Sequence, residues 1–224
     1  MKLSIAIPSK NRHKHLVEAL HDLNENISIQ KEVIVAYSND DIETRDLLKT
    51  IDWITSVEDG NRSAIAAYNS AMKLTTGEYI SYITDDIRIV KDSYEIAIDY
   101  LDEHNEYAGV LFYHRDGAAP YHIHNLGDHI GGLKYEKGNR PFFMWGLLRN
   151  SVMQKIGYWD ERYKNYFANP DMCVSIFENG FDIIALPECK IIHTPIVDDL
   201  ITSNYKTFEI DKRAFINKWD GILK

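Results

Sequence analysis

Long apolar runs are missing from this sequence, and no stretch approaches the roughly 20 residues that a membrane-spanning helix needs. The opening segment "MKLSIAIPSK" carries only a short apolar run, cut off by Pro8 and Lys10, which is too short for a secretory leader. Positive charge is also scarce. Lys and Arg total 25 against 34 Asp and Glu, a net charge of −9. This removes the basic face expected of a general nucleic-acid binder and any charge-driven attraction to anionic lipid. An acidic chain can still hold an anionic ligand, but only with a cation or a few placed basic residues. Cysteine is nearly absent. Cys173 and Cys189 match no metal-binding spacing and read as reduced core thiols. Repeats, low-complexity tracts and linker-like segments are absent too. The expectation is a cytosolic, single-domain protein, long enough at 224 residues to bury a sizeable core.

What is present is a rhythm. "KLSIAIP", "KEVIVAYS", "WITSVE", "EYISYIT" and "YAGVLFYH" are short apolar runs suited to strands. Between them lie segments of helical spacing: "SKNRHKHLVEALHDL", "DDIETRDLLKTI", "NRSAIAAYNSAMKLTTG" and "DSYEIAIDYLDEH". Alternation of this kind predicts an α/β fold, a mostly parallel sheet with crossover helices. Ligands of such sheets bind beyond the carboxyl ends of the strands. Those ends are Pro8-Ser9, Tyr37-Ser38 and Thr84-Asp85-Asp86, which should share one crevice. After residue 113 the rhythm breaks. "GAAPYHIHNLGDHIGGLKY" reads as a hairpin or flexible loop and "FFMWGLL" as an apolar, aromatic segment. "NPDMCVSIFENG" predicts a helix capped by Asn169 with Pro170 at its first position. "FDIIALP" and "CKIIHTP" predict two short strands, and "FEIDKRAFINKW" a final amphipathic helix.

Seven segments occur in a telling order: "SIAIPSKNR", "EVIVAYS", "NRSAIAAYNSAM", "GEYISYITDD", "GYWDERY", "NPDMCVSIFENGFDI" and "IIH". Together they resemble family-two glycosyltransferases with the GT-A fold, a Rossmann-like sheet with a smaller C-terminal acceptor-side region. The resemblance covers nearly the whole chain. It implies a nucleotide-sugar-binding part over residues 1–113 and an acceptor-side part with the C-terminal helix over 114–224. It also implies transfer of a sugar from a nucleoside-diphosphate sugar, a UDP-sugar first, to a hydroxyl acceptor such as a glycan, with inversion and with Mn²⁺ or Mg²⁺ as cofactor.

Carried over residue by residue, the resemblance makes Asp86 the last acid of an Asp-x-Asp motif and a metal ligand. Asp85 becomes the middle residue that reaches the ribose. His193 would complete the metal or diphosphate site. Hard cations of this kind take carboxylate oxygens and substrate phosphates, so the chemistry agrees. Pro8, Ser9 and Arg12 match the segment that wraps base and ribose. Ser38 stands at the base-reading position, where Tyr37 could stack, and Arg62 flanks the diphosphate. The pattern departs at Thr84, which replaces the motif's first acid, at Tyr37 and Ser38, which replace an acidic pair, and at Ala168-Asn169, which replace Glu-Asp. Asp171 is the surviving acid of that late motif and the candidate general base, although an acid in a helix's first turn also stabilises the helix dipole. A nucleotide-sugar-binding module that has lost transfer is the alternative. A nucleotidyltransferase would carry a glycine-rich loop after the first strand, and "IPSKNR" has no glycine.

Two features stand outside this pattern. His122 and His124 share a strand face and could chelate a metal, with Asp128 and His129 nearby, while the flanking glycines favour a mobile acceptor loop over Gly117 to Gly138. Trp145, in an aromatic segment before the acceptor region, offers a face on which a sugar could stack.

Overall fold

The computed structural model describes residues 1–60, 62–130, 133–196 and 199–224; the side chains of residues 129 and 200–202 lie outside that description. Thus His129 of the histidine-rich segment, and Gly131 and Gly132 of the expected loop, are not described further.

The first half follows the predicted alternation. Strands β1 (Leu3–Ser9), β2 (Lys31–Tyr37), β3 (Thr55–Glu58) and β4 (Tyr79–Tyr82) are joined by helices α1 (His13–Asn26), α2 (Ile42–Leu48) and α3 (Ala64–Met72). These four strands pair in parallel. Helix starts are written in the sequence. Asp41 accepts a bond from the backbone N–H of Thr44 at 3.1 Å, and Ser63 from that of Ala66 at 3.3 Å. Each satisfies one of the donors that a helix start leaves open. Gly77, the last residue of the segment with helical spacing, lies beyond the end of α3. It lies against β1, where a Cβ would sit 2.5 Å from Ser4 Oγ.

A short strand β5 (Ile87–Ile89), helix α4 (Ser93–Glu103) and strand β6 (Tyr107–Asp116) follow. The second half adds β7 (His124–Asn125), α5 (Leu126–His129), β8 (Pro141–Phe142), β9 (Gly146–Arg149), α6 (Asn150–Ile156), α7 (Ala168–Glu178) and β10 (Asp182–His193). It ends with α8 (Asp199–Asn204), a 3₁₀ turn (Tyr205–Thr207) and α9 (Phe208–Lys218). The main sheet has eight strands in the order β3-β2-β1-β4-β9-β6-β10-β5, and β7 pairs with β8 apart from it. β9 runs antiparallel between β4 and β6, and β5 runs antiparallel to β10.

Two expectations differ from this arrangement, and one strand was not foreseen. The two short strands near the C-terminus are one strand, β10, whose register against β6 shifts between Leu186 and Lys190. Helix α7 begins at Ala168, not at Pro170, with Phe167 in the left-handed region at φ 61°. Asn169 therefore lies inside the first turn and is no cap. Pro170 is tolerated there because first-turn N–H groups have no intrahelical partner. β5 had no signal of its own: three residues are too few to show a period.

Both faces of the sheet are covered, as near-continuous apolar strands require. Ile5, Ile7, Val33 and Val35 point to one side, against Leu16, Leu20 and Leu23 of α1 and Ala97 and Leu101 of α4. Ala6, Ile34 and Ala36 point to the other, with Ala67 and Ala71 of α3 and Met172 and Ile176 of α7. Cys173 and Cys189 are buried free thiols, as expected. Among the described residues no helix is long and apolar enough to cross a membrane.

Candidate functional site

A cavity of about 490 Å³ opens where the parallel strands end. Pro8 and Ser9 bring β1 to it, Ser38 follows β2, and Thr84, Asp85 and Asp86 follow β4. Asp59, Arg62 and the start of α3 close one side, while Trp145, Lys164, Asn165 and His193 come from the second half. Of the residues singled out in the sequence, Pro8, Ser9, Arg12, Ser38, Arg62, Asp85, Asp86 and His193 all line this space. Asp171 is not among the lining residues, and neither is Tyr37, which packs against the apolar layer that includes Val33 and Val35.

The two adjacent carboxylates are separated by their partners. Asp85 takes a hydrogen bond from Ser9 Oγ at 2.9 Å and one from Arg12 Nη1 at 3.4 Å. Burial raises its pKa to about 6, with the Arg12 charge and the Ser9 hydroxyl opposing that rise and the Asp86 charge adding to it. Asp86 receives the Thr84 hydroxyl, and His193 Nε2 lies 3.5 Å from its Oδ2. Burial works against its ionisation too, but the bonds from His193 and Thr84 and the charge of Arg12 outweigh it and hold Asp86 below the usual carboxylate value. Thr84, which interrupts the expected acidic pattern, thus supplies a donor to Asp86 in place of a third negative charge.

The fold makes the pairing of Asp86 with His193 inevitable. β5 starts directly after Asp86 and runs antiparallel to the end of β10, so that Ile87 sits opposite His193. The backbone N–H of Thr194 donates to the Asp86 carbonyl at 2.9 Å. The other ring nitrogen of His193, Nδ1, lies 2.8 Å from an oxygen of Asp116 at the end of β6. A carboxylate behind an imidazole fixes the ring and raises its basicity, the arrangement common behind metal-ligating histidines. Burial alone would lower the pKa of His193, but Asp86 and Asp116 together raise it. A carboxylate and an oriented imidazole converging on one cavity fit a divalent cation that also takes phosphate oxygens.

Basic groups surround the carboxylates. Arg12 is close to both, at 3.4 Å from Asp85 and 3.9 Å from Asp86. Lys10 pairs with Asp40 at 3.4 Å, and Asp40 in turn accepts from Ser38 Oγ at 2.6 Å. Arg62 is anchored by the Asp59 carbonyl at 2.8 Å and by Glu161 at 3.4 Å. Lys164 and Asn165 were missed by sequence reasoning because what places them is distant. The carboxylate of Asp211 in α9 accepts the backbone N–H groups of Lys164, Asn165 and Tyr166 at 2.9–3.1 Å.

The late acidic motif looks elsewhere. Asp171 is 3 % exposed. Its carboxylate accepts from Lys218 Nζ at 2.8 Å, Trp219 Nε1 at 2.8 Å and Tyr163 OH at 3.0 Å. Burial raises its pKa, and these three partners limit the rise. Asn169 donates its amide to the carbonyls of Phe143 at 3.1 Å and Met144 at 3.3 Å, and to Tyr82 OH at 3.3 Å. A carboxylate could not donate in its place. Asp160 and Glu161 serve as struts, Asp160 to Arg162 and Lys218, Glu161 to Arg62 and Lys73.

Solved structures share this architecture. A mannosyltransferase from Pyrobaculum calidifontis, PcManGT, solved in complex with GDP-Man and Mn²⁺, superposes with a TM-score of 0.72 at 14% identity, over 97% of this chain and 64% of that one. TarS of S. aureus, residues 1–349, gives 0.65 at 17% identity over 87% of this chain and 60% of that one. Its complex with UDP-GlcNAc gives 0.67 at 15% identity, over 97% and 67%. The chain thus spans about two thirds of these relatives' length. A comparison with curated proteins gives no match. The sequence model described as "Glycosyl transferase family 2" matches residues 4–157, well over half of the molecule, and with the strand-end cavity and the GT-A architecture this makes the chain a member of glycosyl transferase family 2.

Proposed function

We propose that the chain binds a nucleoside-diphosphate sugar in the cavity at the strand ends and transfers the sugar, with inversion, to a hydroxyl of a glycan or similar acceptor. The observation that carries this reading is the convergence of Asp86 and His193, with Asp116 behind the imidazole, beside Asp85 and Arg12. Asp86 and His193 would hold Mn²⁺ or Mg²⁺, which when bound neutralises the departing diphosphate. Arg12 adds fixed positive charge at the same place. Asp85 faces the ribose, and Pro8, Ser9 and Ser38 form the wall for the nucleoside. Arg62 and Lys164 flank the path of the phosphates, and Trp145 offers its ring to the sugar. Bound nucleotide sugars in PcManGT and TarS support this class of donor. UDP remains the first choice of nucleotide here, since Ser38 can meet an imide edge. Residues 1–113 supply most of this wall, and residues 114–224 would receive the acceptor.

Asp171 is not given the role of base. Its carboxylate is occupied by Lys218, Trp219 and Tyr163, and a base must reach the proton it removes. The occupied Asp171 and the donating Asn169 favour a second reading, a nucleotide-sugar-binding module without transfer. One assay separates the two: release of nucleoside diphosphate from a panel of UDP- and GDP-sugars with Mn²⁺, with and without candidate glycan acceptors, beside donor binding by calorimetry. Acceptor-dependent release supports transfer. Donor binding without release supports the module. No binding of any nucleotide sugar would remove both.

A further inference from the structure

A second cluster of ligating side chains lies on the far side of Trp145. His114, near the end of β6, and His122 exchange both of their backbone hydrogen bonds, at 3.0 and 2.8 Å. They form a directly opposed antiparallel pair, with side chains on a common face. His124, two residues beyond His122, projects to that face as well. The rings meet, with centroid separations of 4.3 Å for His114–His122, 5.1 Å for His114–His124 and 4.9 Å for His122–His124. One nitrogen from each lies within 4.8 Å of the others. Around an ion at about 2.0–2.1 Å those nitrogens would be about 3.3 Å apart, so small ring rotations close the gap.

Two further details point to a ligand. His122 Nδ1 faces the carbonyl oxygen of Pro120 at 3.2 Å. Donating its N–H there leaves the Nε2 lone pair for a metal, the outer contact that metal-bound histidines typically make. His114 is 3 % exposed, and its Nδ1 has no hydrogen-bond partner. A buried ring nitrogen left without a partner costs free energy, and a bound ion repays it. Burial and the neighbouring rings keep His114 neutral at pH 7, the form that ligates.

We propose that His114, His122 and His124 form a metal site separate from the nucleotide-sugar cavity, taking Zn²⁺ or a similar first-row cation with a fourth position open to water. The donor set carries the choice of ion. Three imidazoles and no carboxylate suit zinc and its neighbours, whereas Mg²⁺ and Mn²⁺ prefer oxygen. The site clips the chain after β6 back onto that strand. It also sits one ring away from the cavity, because Trp145 lies 5.1 Å from His114 on one side and 5.1 Å from His193 on the other. This inference does not depend on the proposed transfer reaction.

The test uses the full chain, freed of metal with a chelator and titrated with Zn²⁺ and, separately, Co²⁺. Zinc content after dialysis, the visible absorption of bound Co²⁺ and the thermal melt are read for the wild type, His122→Gln, His124→Gln and Asp86→Ala. The wild type and Asp86→Ala should retain one equivalent of zinc, show the intense absorption of four-coordinate Co²⁺ and melt higher with zinc. Each histidine variant should bind zinc at least about a hundredfold more weakly, since loss of an outer partner alone costs about 10–100-fold. His122 and His124 are only half-buried, and metal-free melts matching the wild type would show that the variants fold. Should a histidine variant not fold, zinc retention by Asp86→Ala beside the wild type decides. Zinc held equally by the histidine variants, zinc lost in Asp86→Ala, or a wild type that retains none would each overturn the assignment.

Discussion

Asp86 answers to three neighbours, and its chemistry follows from them. His193, Thr84 and Arg12 hold it ionised despite burial, so it is ready to meet a cation. Replacing it with Ala should weaken Mn²⁺-dependent UDP binding more than about tenfold while leaving the circular dichroism spectrum unchanged. Calorimetry with UDP and Mn²⁺ measures this, and an unaltered affinity would move the metal away from Asp86. The same residues predict a pH dependence. Asp85 titrates at about 6, and His193 is raised above its ordinary value of 6.5, so both hold protons in mildly acid solution. A cation needs His193 neutral and the carboxylates ionised, and binding must release those protons. Affinity for Mn²⁺ with UDP should therefore rise from mildly acid pH through the folded value of His193, by about tenfold per pH unit for each proton released. A flat or falling profile would count against the pairing. Without ligand the sign differs. The raised pKa of His193 gives stability that is present in acid and lost as pH rises through its folded value. The depressed pKa of Asp86 gives stability that is lost as pH falls through its own folded value. The ion pair therefore strengthens the fold between those two limits. Most of this site was legible as residue types at strand ends. Asp116 behind His193 was not, because the two lie 77 positions apart and meet only through the pairing of β6 with β10.

Helix α9 acts as a fastener at the level of elements. Near its first turn Asp211 holds the backbone of Lys164, Asn165 and Tyr166, and at its end Lys218 and the adjoining Trp219 hold Asp171 in α7. Asp211→Ala would leave three partly buried backbone donors without their acceptor and should cost about 1–3 kcal/mol in urea unfolding. It should also weaken UDP binding, because Lys164 and Asn165 line the cavity. Asp171→Asn should likewise lose about 1–3 kcal/mol of stability with nucleotide affinity nearly unchanged. If turnover is established with a working acceptor, it should fall by far less than the roughly 10²–10⁴-fold that removal of a general base costs. A loss of that size at unaltered stability would restore Asp171 as the base. The helix itself was readable from its spacing, but its role was not. Amphipathic periodicity says that a face is buried and leaves open what it is buried against, and Lys218 lies 47 residues from Asp171. Similarly, apolar runs marked β4, β6 and the segment that becomes β9 without indicating direction, so the antiparallel β9 came only with the pairing.

The molecule as a whole is not divided where its sequence rhythm changes. The segment after residue 113 contributes β9 and β10 to the main sheet, and β9 sits between β4 and β6 of the first half. Gly146 lets it in: its φ is +156°, and a Cβ there would lie 2.1 Å from the Val110 carbonyl oxygen. A fragment ending at residue 113 would carry β4 and most of β6 with nothing joining them. It should show a broad, non-cooperative melt and poor NMR dispersion, whereas a well-dispersed spectrum would mean that the first half folds alone. The same insertion sets a schedule for synthesis. About 64 residues separate Tyr82, where β4 ends, from Gly146, where β9 begins. At roughly 5–20 residues per second, the ribosome needs about 3–13 s to bridge them. For that interval the nascent chain presents an apolar strand edge with no neighbour, long enough for a chaperone, or another nascent chain, to reach it first.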